Sequence, residues 1–297
     1  MKKYIILKIA VTYIIIVFSS SQLFAVPNHP NKKHGNLSMQ EYPTEIFNQK
    51  IGSRANNVPD SILVLLVEFS DVTFDLVPDY PDSVAHDHDY FERIIFHLSS
   101  YIHDASHGNY IIDSTNYTIW DNVLTLPETM GYYGNDEKWI ERIAEFAETT
   151  FLTMDAEIDY SNFDSFIVFH AGAGQEADIN NTNAAQLWST FLSRKTLQAG
   201  LDEENDDFPG IITNERIIKE IVICPETEWQ PDFEEGDPNY GLLGVVAHEF
   251  GHLIGLPTLF DNNSSNGRSY GIGNFGVMGH GAWNANGYVP PLPCAWS

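Results

Sequence analysis

The run GLLGVVAHEFGHLIGLP, residues 241–257, constrains this chain more than any other stretch. Leu242, Leu243, Val245, Val246, Phe250, Leu253 and Ile254 make it apolar on nearly every side, so it reads as a largely buried helix starting near Tyr240 and ended by Gly255 and Pro257. Yet it carries His248, Glu249 and His252. Burying such groups costs several kcal/mol unless something binds them. Two histidines four residues apart project from one helical face, where both imidazoles can hold one zinc ion. Glu249, beside that face, is offset enough to act on water rather than on the metal. Bound zinc lowers the pKa of water by roughly 9 units, which makes hydroxide accessible at neutral pH. Glu249 is thus the expected general base, passing the proton on to a leaving amine.

The rest of the chain supplies a core large enough to hold such a helix. Its 297 residues are 43% hydrophobic and 13% aromatic. The runs 61–71 (SILVLLVEFSD) and 163–172 (FDSFIVFHAG) read as strands buried on both faces, and ERIIKEIVICP (215–225) as one more. Phe91, Ile94, Ile95, Leu98, Tyr101 and Ile102 recur at helical spacing, with Gly108 as a stop. Trp139, Ile140, Ile143, Phe146, Ala147 and Phe151 mark a second helix, and 109–126 reads as strands. Strands and helices interleave without a repeat, so the expected fold is α/β (α+β): a mixed twisted sheet with packed helices, the histidine helix, and a small glycine-rich lower subdomain.

Residues 1–25 have a lysine leader, an apolar stretch and a small-residue zone ending at Ala25, the layout of a secretory signal peptide. Residues 26–58 read as a linker or short pro-segment and 59–297 as the catalytic domain. A secreted, extracellular protein is expected, with no stable membrane association after signal cleavage. The net charge of −26 argues against nucleic acid as a partner. Cys224 and Cys294 are too few for a disulfide scaffold, and their pairing stays open. The loop DNNSSNG, following Phe260, has oxygen ligands suited to structural calcium, although Asn and Gly also simply form loops. HDASH (103–107) and HDHD (86–89) read as a structural turn and a solvated helix start, and FIVFH (166–170) as a strand that could pair with an extended peptide.

HEFGHLIGLPTLFD and GIGNFGVMGHGAWN (271–284), preceded in order by ILVLLVEFSD, YIHDASHGNYIID and FDSFIVFHAGAG, resemble the immune inhibitor A type of secreted bacterial metallopeptidase. The resemblance covers roughly Asp60 to Ser297. It implies a zincin-like catalytic domain cleaving peptide bonds, with His248 and His252 as zinc ligands, Glu249 as base and Met278 packed beneath the metal. It also implies that chains of this kind continue past VPPLPCAWS, so a lower subdomain cut short is expected. Where the related pattern places a third ligand, this chain has Thr258, a poor one. Asp261 is the first candidate to replace it and His280 the alternative. The reading is a zinc-dependent endopeptidase acting on protein or peptide substrates. The competing reading is a non-catalytic zinc-stabilised adhesin or binding domain derived from such an enzyme.

Overall fold

The computed structural model describes residues 24–27, 61–76, 84–183, 185–230, 232, 240–261 and 269–295. Strands β1 (Phe24–Ala25), β2 (Ile62–Glu68), β3 (Tyr117–Ile119), β4 (Leu124–Thr125), β5 (Ser165–Ala173), β6 (Thr190–Leu192) and β9 (Ile221–Thr227) form one sheet, and β7 (Ile211–Ile212) and β8 (Ile217–Ile218) a separate hairpin. The main sheet runs β1-β6-β9-β5-β2-β3, with β4 also on β2. From β9 to β3 and β4 the pairing is parallel; β6 joins β9 antiparallel, and β1 joins β6 antiparallel.

Among the described residues five α-helices accompany it: α1 (His88–Ala105), α2 (Met130–Tyr133), α3 (Trp139–Met154), α4 (Arg194–Leu201) and α5 (Leu243–Leu253). Crossovers between parallel strands are right-handed, so reversing direction along a sheet moves the connecting helix to the other face. The chain steps from β2 outward to β3 through α1, then back across β2 to β5 through α3. Accordingly α1 packs with Ile62, Val64, Leu66, Ile167 and Phe169 on one face, and α3 with Leu63, Leu65, Val67, Phe166 and Val168 on the other. This is why β2 and β5 read as unbroken apolar runs rather than alternating ones. Helix α5 shares the α1 face, through Val245, Val246, Phe250 and Leu253. The mixed α/β class, with a mixed sheet and packed helices, is the one expected.

Several local expectations need correction. Residues 109–113 are not a strand, because Asn116 takes over their backbone: its side chain accepts from the Asp113 amide at 2.7 Å and donates to the Ile111 carbonyl at 2.8 Å. The run 215–225 is two strands, β8 and β9, broken at Lys219–Glu220. FIVFH lies in β5, between β9 and β2, and therefore offers no edge for strand addition. On the side beyond β9 the edge is β1, which covers β6. The motif helix starts at Leu243 rather than near Tyr240. No disulfide joins Cys224, which is buried in β9, to Cys294. Asp87 caps α1, accepting from the Tyr90 amide at 3.1 Å, and His88, Asp89 and Glu92 lie close together but exposed, as a solvated helix start. Among the described residues no helix is long and apolar enough to cross a membrane. Residues 1–23 of the signal-peptide reading, 28–58 of the linker and the calcium loop at 262–268 lie outside the described residues.

Candidate active site

Helix α5 delivers His248, Glu249 and His252 to one buried place, with exposures of 0%, 0% and 5%. Two returns of the chain then orient the imidazoles. Gly255, at φ +100°, lets the backbone reverse directly after the helix, with the Gly255 amide on the His252 carbonyl and the Leu256 amide on the Gly251 carbonyl. This reversal sets the Leu256 carbonyl 2.9 Å from His252 Nδ1. From the other side, the Val277 carbonyl lies 2.8 Å from His248 Nδ1. Both carbonyls accept, so both Nδ1 atoms carry the proton and Nε2 is the basic nitrogen of each ring. The rings are 4.9 Å apart and nearly perpendicular. The Nε2 of His248 is buried with no hydrogen-bond partner.

Met278 packs against the helix where Gly251 leaves room. A Cβ at Gly251 would stand 2.6 Å from the Met278 sulfur. The Leu259 amide donates to the Met278 carbonyl at 2.8 Å, so the return after Gly255 and the turn at 276–279 form one support under the histidines.

Burial governs the electrostatics. It lowers His248 to about 4, with His280 adding to the effect and the Val277 carbonyl opposing it. His252 is held well below the usual histidine range by burial and then by His248. Both rings are therefore neutral at neutral pH, the form that binds metal. Glu249 is pushed well above the usual carboxylate range by burial and then by Glu176, while the main-chain amides of Val26 and Phe191 partly offset this. Both carboxylate oxygens of Glu249 are buried without a hydrogen bond of ordinary geometry.

The described residues do not gather a third His, Cys, Asp or Glu with the two histidines within a 4.8 Å cluster of ligand atoms. Asp261 is half-buried and accepts from the Ser269 amide at 3.1 Å. His280 has a buried Nδ1 without a hydrogen-bond partner, and Phe260 stands between it and His248, with each pair of ring centroids 6.0 Å apart.

Two features of the site escaped sequence reading. The first is a buried carboxyl pair. Glu176 is fully buried and accepts from the Ser189 amide at 3.2 Å; a Cβ at Gly174 would sit 2.9 Å from both Glu176 and Glu228 oxygens, so the two side chains converge there. Burial raises the Glu176 carboxyl above the usual carboxylate range, opposed by hydrogen bonds from Ser189 and Glu228. Acids embedded in the apolar contexts AGAGQEA and VICPETE were the available signal. The second is the strand β1. It pairs Phe24 with Phe191 and Ala25 with Thr190, then continues through Val26, 2% exposed, to Pro27, whose carbonyl accepts from Trp283 Nε1 at 2.6 Å. The chain's own residues 24–27 thus cross the site beside Glu249.

The family model described as "Immune inhibitor A peptidase M6, catalytic domain" matches residues 154–290. Immune inhibitor A of Bacillus thuringiensis subsp. alesti is 24% identical over 269 residues, covering 75% of this chain and 36% of that protein. Pre-pro-metalloprotease PrtV of Vibrio cholerae serotype O1 (strain M66-2) is 24% identical over 136 residues, 45% of this chain and 13% of the relative. The chain therefore spans little more than a third of the longer match and about an eighth of PrtV. The resemblance to immune inhibitor A type metallopeptidases stands, and the matched region contains every proposed site residue from His248 to His280.

Proposed function

We propose that this chain is a secreted zinc-dependent endopeptidase. The observation that carries the reading is the helix α5 itself, which buries His248 Nε2 and both Glu249 oxygens without hydrogen-bond partners. Each such orphan costs about 1–3 kcal/mol. A metal ion and a water molecule are the partners these atoms suit. An orphan imidazole nitrogen alone is weak support, because His170 Nε2 in β5 is also buried without one. What sets the α5 site apart is two carbonyl-oriented imidazoles one turn apart with a carboxylate between them.

His248 and His252 would hold the zinc ion. That ion would supply a Lewis acid to polarise the scissile carbonyl and make water acidic enough to lose a proton. Glu249, kept basic enough to accept that proton by its raised pKa, would take it from the attacking water and return it to the departing amine. Met278 would fix the floor under the histidines. A protein or peptide would enter along β6, displacing residues 24–27. We assign residues 1–25 to a signal peptide, 26–58 to a linker or pro-segment and 59–297 to the catalytic domain; calcium binding by the run DNNSSNG (261–267) remains part of the proposal. The non-catalytic alternative gives Glu249 no task to offset its burial.

Asp261 is our assignment for the third ligand, since its charge would offset part of the metal's while the Thr258 hydroxyl would not. Asp261→Ala should lower zinc affinity at least ~10-fold and abolish hydrolysis at limiting zinc, whereas Thr258→Ala should change affinity little. Competition titrations against a chromogenic chelator would read both. Parent-like affinity in the Asp261 variant would transfer the role to His280, to be tested by His280→Ala.

A further inference from the structure

We propose that Phe260, His280 and Tyr270 form one wall of a substrate side-chain pocket, in which Tyr270 favours a large apolar side chain beside the scissile bond. The inference rests on the peptidase reading above and extends it to substrate preference. A continuous run of rings leads out from His248. The Phe260 ring lies 6.0 Å from that imidazole, His280 lies 6.0 Å from Phe260, and Tyr270 lies 5.3 Å from His280, centroid to centroid. Exposure rises along the run: His248 is at 0%, Phe260 and His280 are half-buried, and Tyr270 is 74% exposed. A single exposed tyrosine needs no explanation, but one that ends a path of rings from a buried histidine pair does.

The backbone fixes Tyr270 in that place. Gly271, at φ +55°, is pressed against the segment leaving α5: a Cβ there would collide with the Leu259 carbonyl oxygen and stand 2.7 Å from Phe260 Cα. The Ile272 amide donates to the same Leu259 carbonyl at 2.9 Å, and the Gly273 amide donates to the Tyr270 carbonyl at 2.7 Å. Glycine at 271 thus lets the two segments meet closely enough for Tyr270 and Phe260 to belong to one wall. At the other histidine, Phe191 of β6 faces His252, ring centroids 6.2 Å apart. An extended peptide laid along β6 in place of residues 24–27 sends alternate side chains toward the face of the sheet on which α5 lies. Aromatic faces and edges there match an apolar or aromatic side chain. The competing match is a cationic side chain, drawn by the chain's net charge of −26 and by the rings.

The test uses three quenched fluorescent alanine-based peptides of one length, with Phe, Ala or Arg at a single central position, and mass spectrometry of the products to locate the cut. The full-length parent, supplied with zinc, should cut beside the central residue and cleave the Phe peptide about tenfold more efficiently by kcat/KM than the other two. Tyr270→Ala should reduce that ratio to about twofold or less, whereas Tyr270→Phe, which keeps the ring, should preserve it. Tyr270→Gln, long but without a ring, takes the place of Tyr270→Ala if the alanine variant does not fold, with the same expected ratio. A parent-like ratio in the ringless variant, or a lost ratio in Tyr270→Phe, would overturn the proposal. So would a parent that prefers Arg or cleaves all three peptides alike, and either result leaves the peptidase reading intact. A zinc-loaded parent that cleaves none of them overturns both.

Discussion

Glu249→Gln should retain about one zinc per chain while peptide hydrolysis falls at least ~100-fold. The amide keeps the shape of the carboxylate but cannot accept a proton, and it removes a charge whose burial raises its pKa well above the usual range. The fold should therefore be unharmed, or even stabilised near neutral pH, where the parent carboxyl must ionise to act as a base. Metal content by elemental analysis and peptidase rates on one preparation would separate the roles. Retained activity would mean that Glu249 is not the base, and loss of zinc would make it a ligand.

His248→Ala should have the opposite signature. Removing the ring deletes a ligand and leaves the Val277 carbonyl, its acceptor at 2.8 Å, without that donor. Zinc affinity should fall at least ~100-fold, with hydrolysis lost in parallel and restored poorly by added metal. His170→Ala provides the control. That histidine is equally buried, is likewise held near pKa 4 and donates from Nδ1 to a carbonyl, yet it faces Phe69 and Phe146 among the α3-side packing. Its loss should lower thermal stability and leave zinc binding unchanged. If the two variants bound zinc alike, the pairing of His248 with His252 would not be the basis of the site.

The apolar runs of β2 and β5 and the periodic faces of α1 and α3 made the layers legible, because burial on two faces or along one stripe is written in consecutive residues. His248, Glu249 and His252 were legible for the same reason: polar groups interrupted a helix that had to be buried. What holds them in place was not. The carbonyls of Val277 and Leu256 orient the imidazoles, and a carbonyl has no residue identity to read. Glu176 and Glu228 meet only because β5 and β9 are neighbours, with 52 positions separating them along the chain. Strand β6 carries no readable period because three residues suffice once β9 supports them. The third ligand was ambiguous for a related reason, since the chain after Pro257 is fixed at Leu259 by the Met278 carbonyl rather than by local pattern.

The most direct test of the central claim is casein hydrolysis by the purified protein before chelation, after chelation and after zinc is returned. The account predicts hydrolysis that disappears when zinc is removed and recovers when zinc is restored, in the parent but not in Glu249→Gln. Hydrolysis that persists in fully zinc-free protein, or none from the zinc-loaded parent, would contradict it.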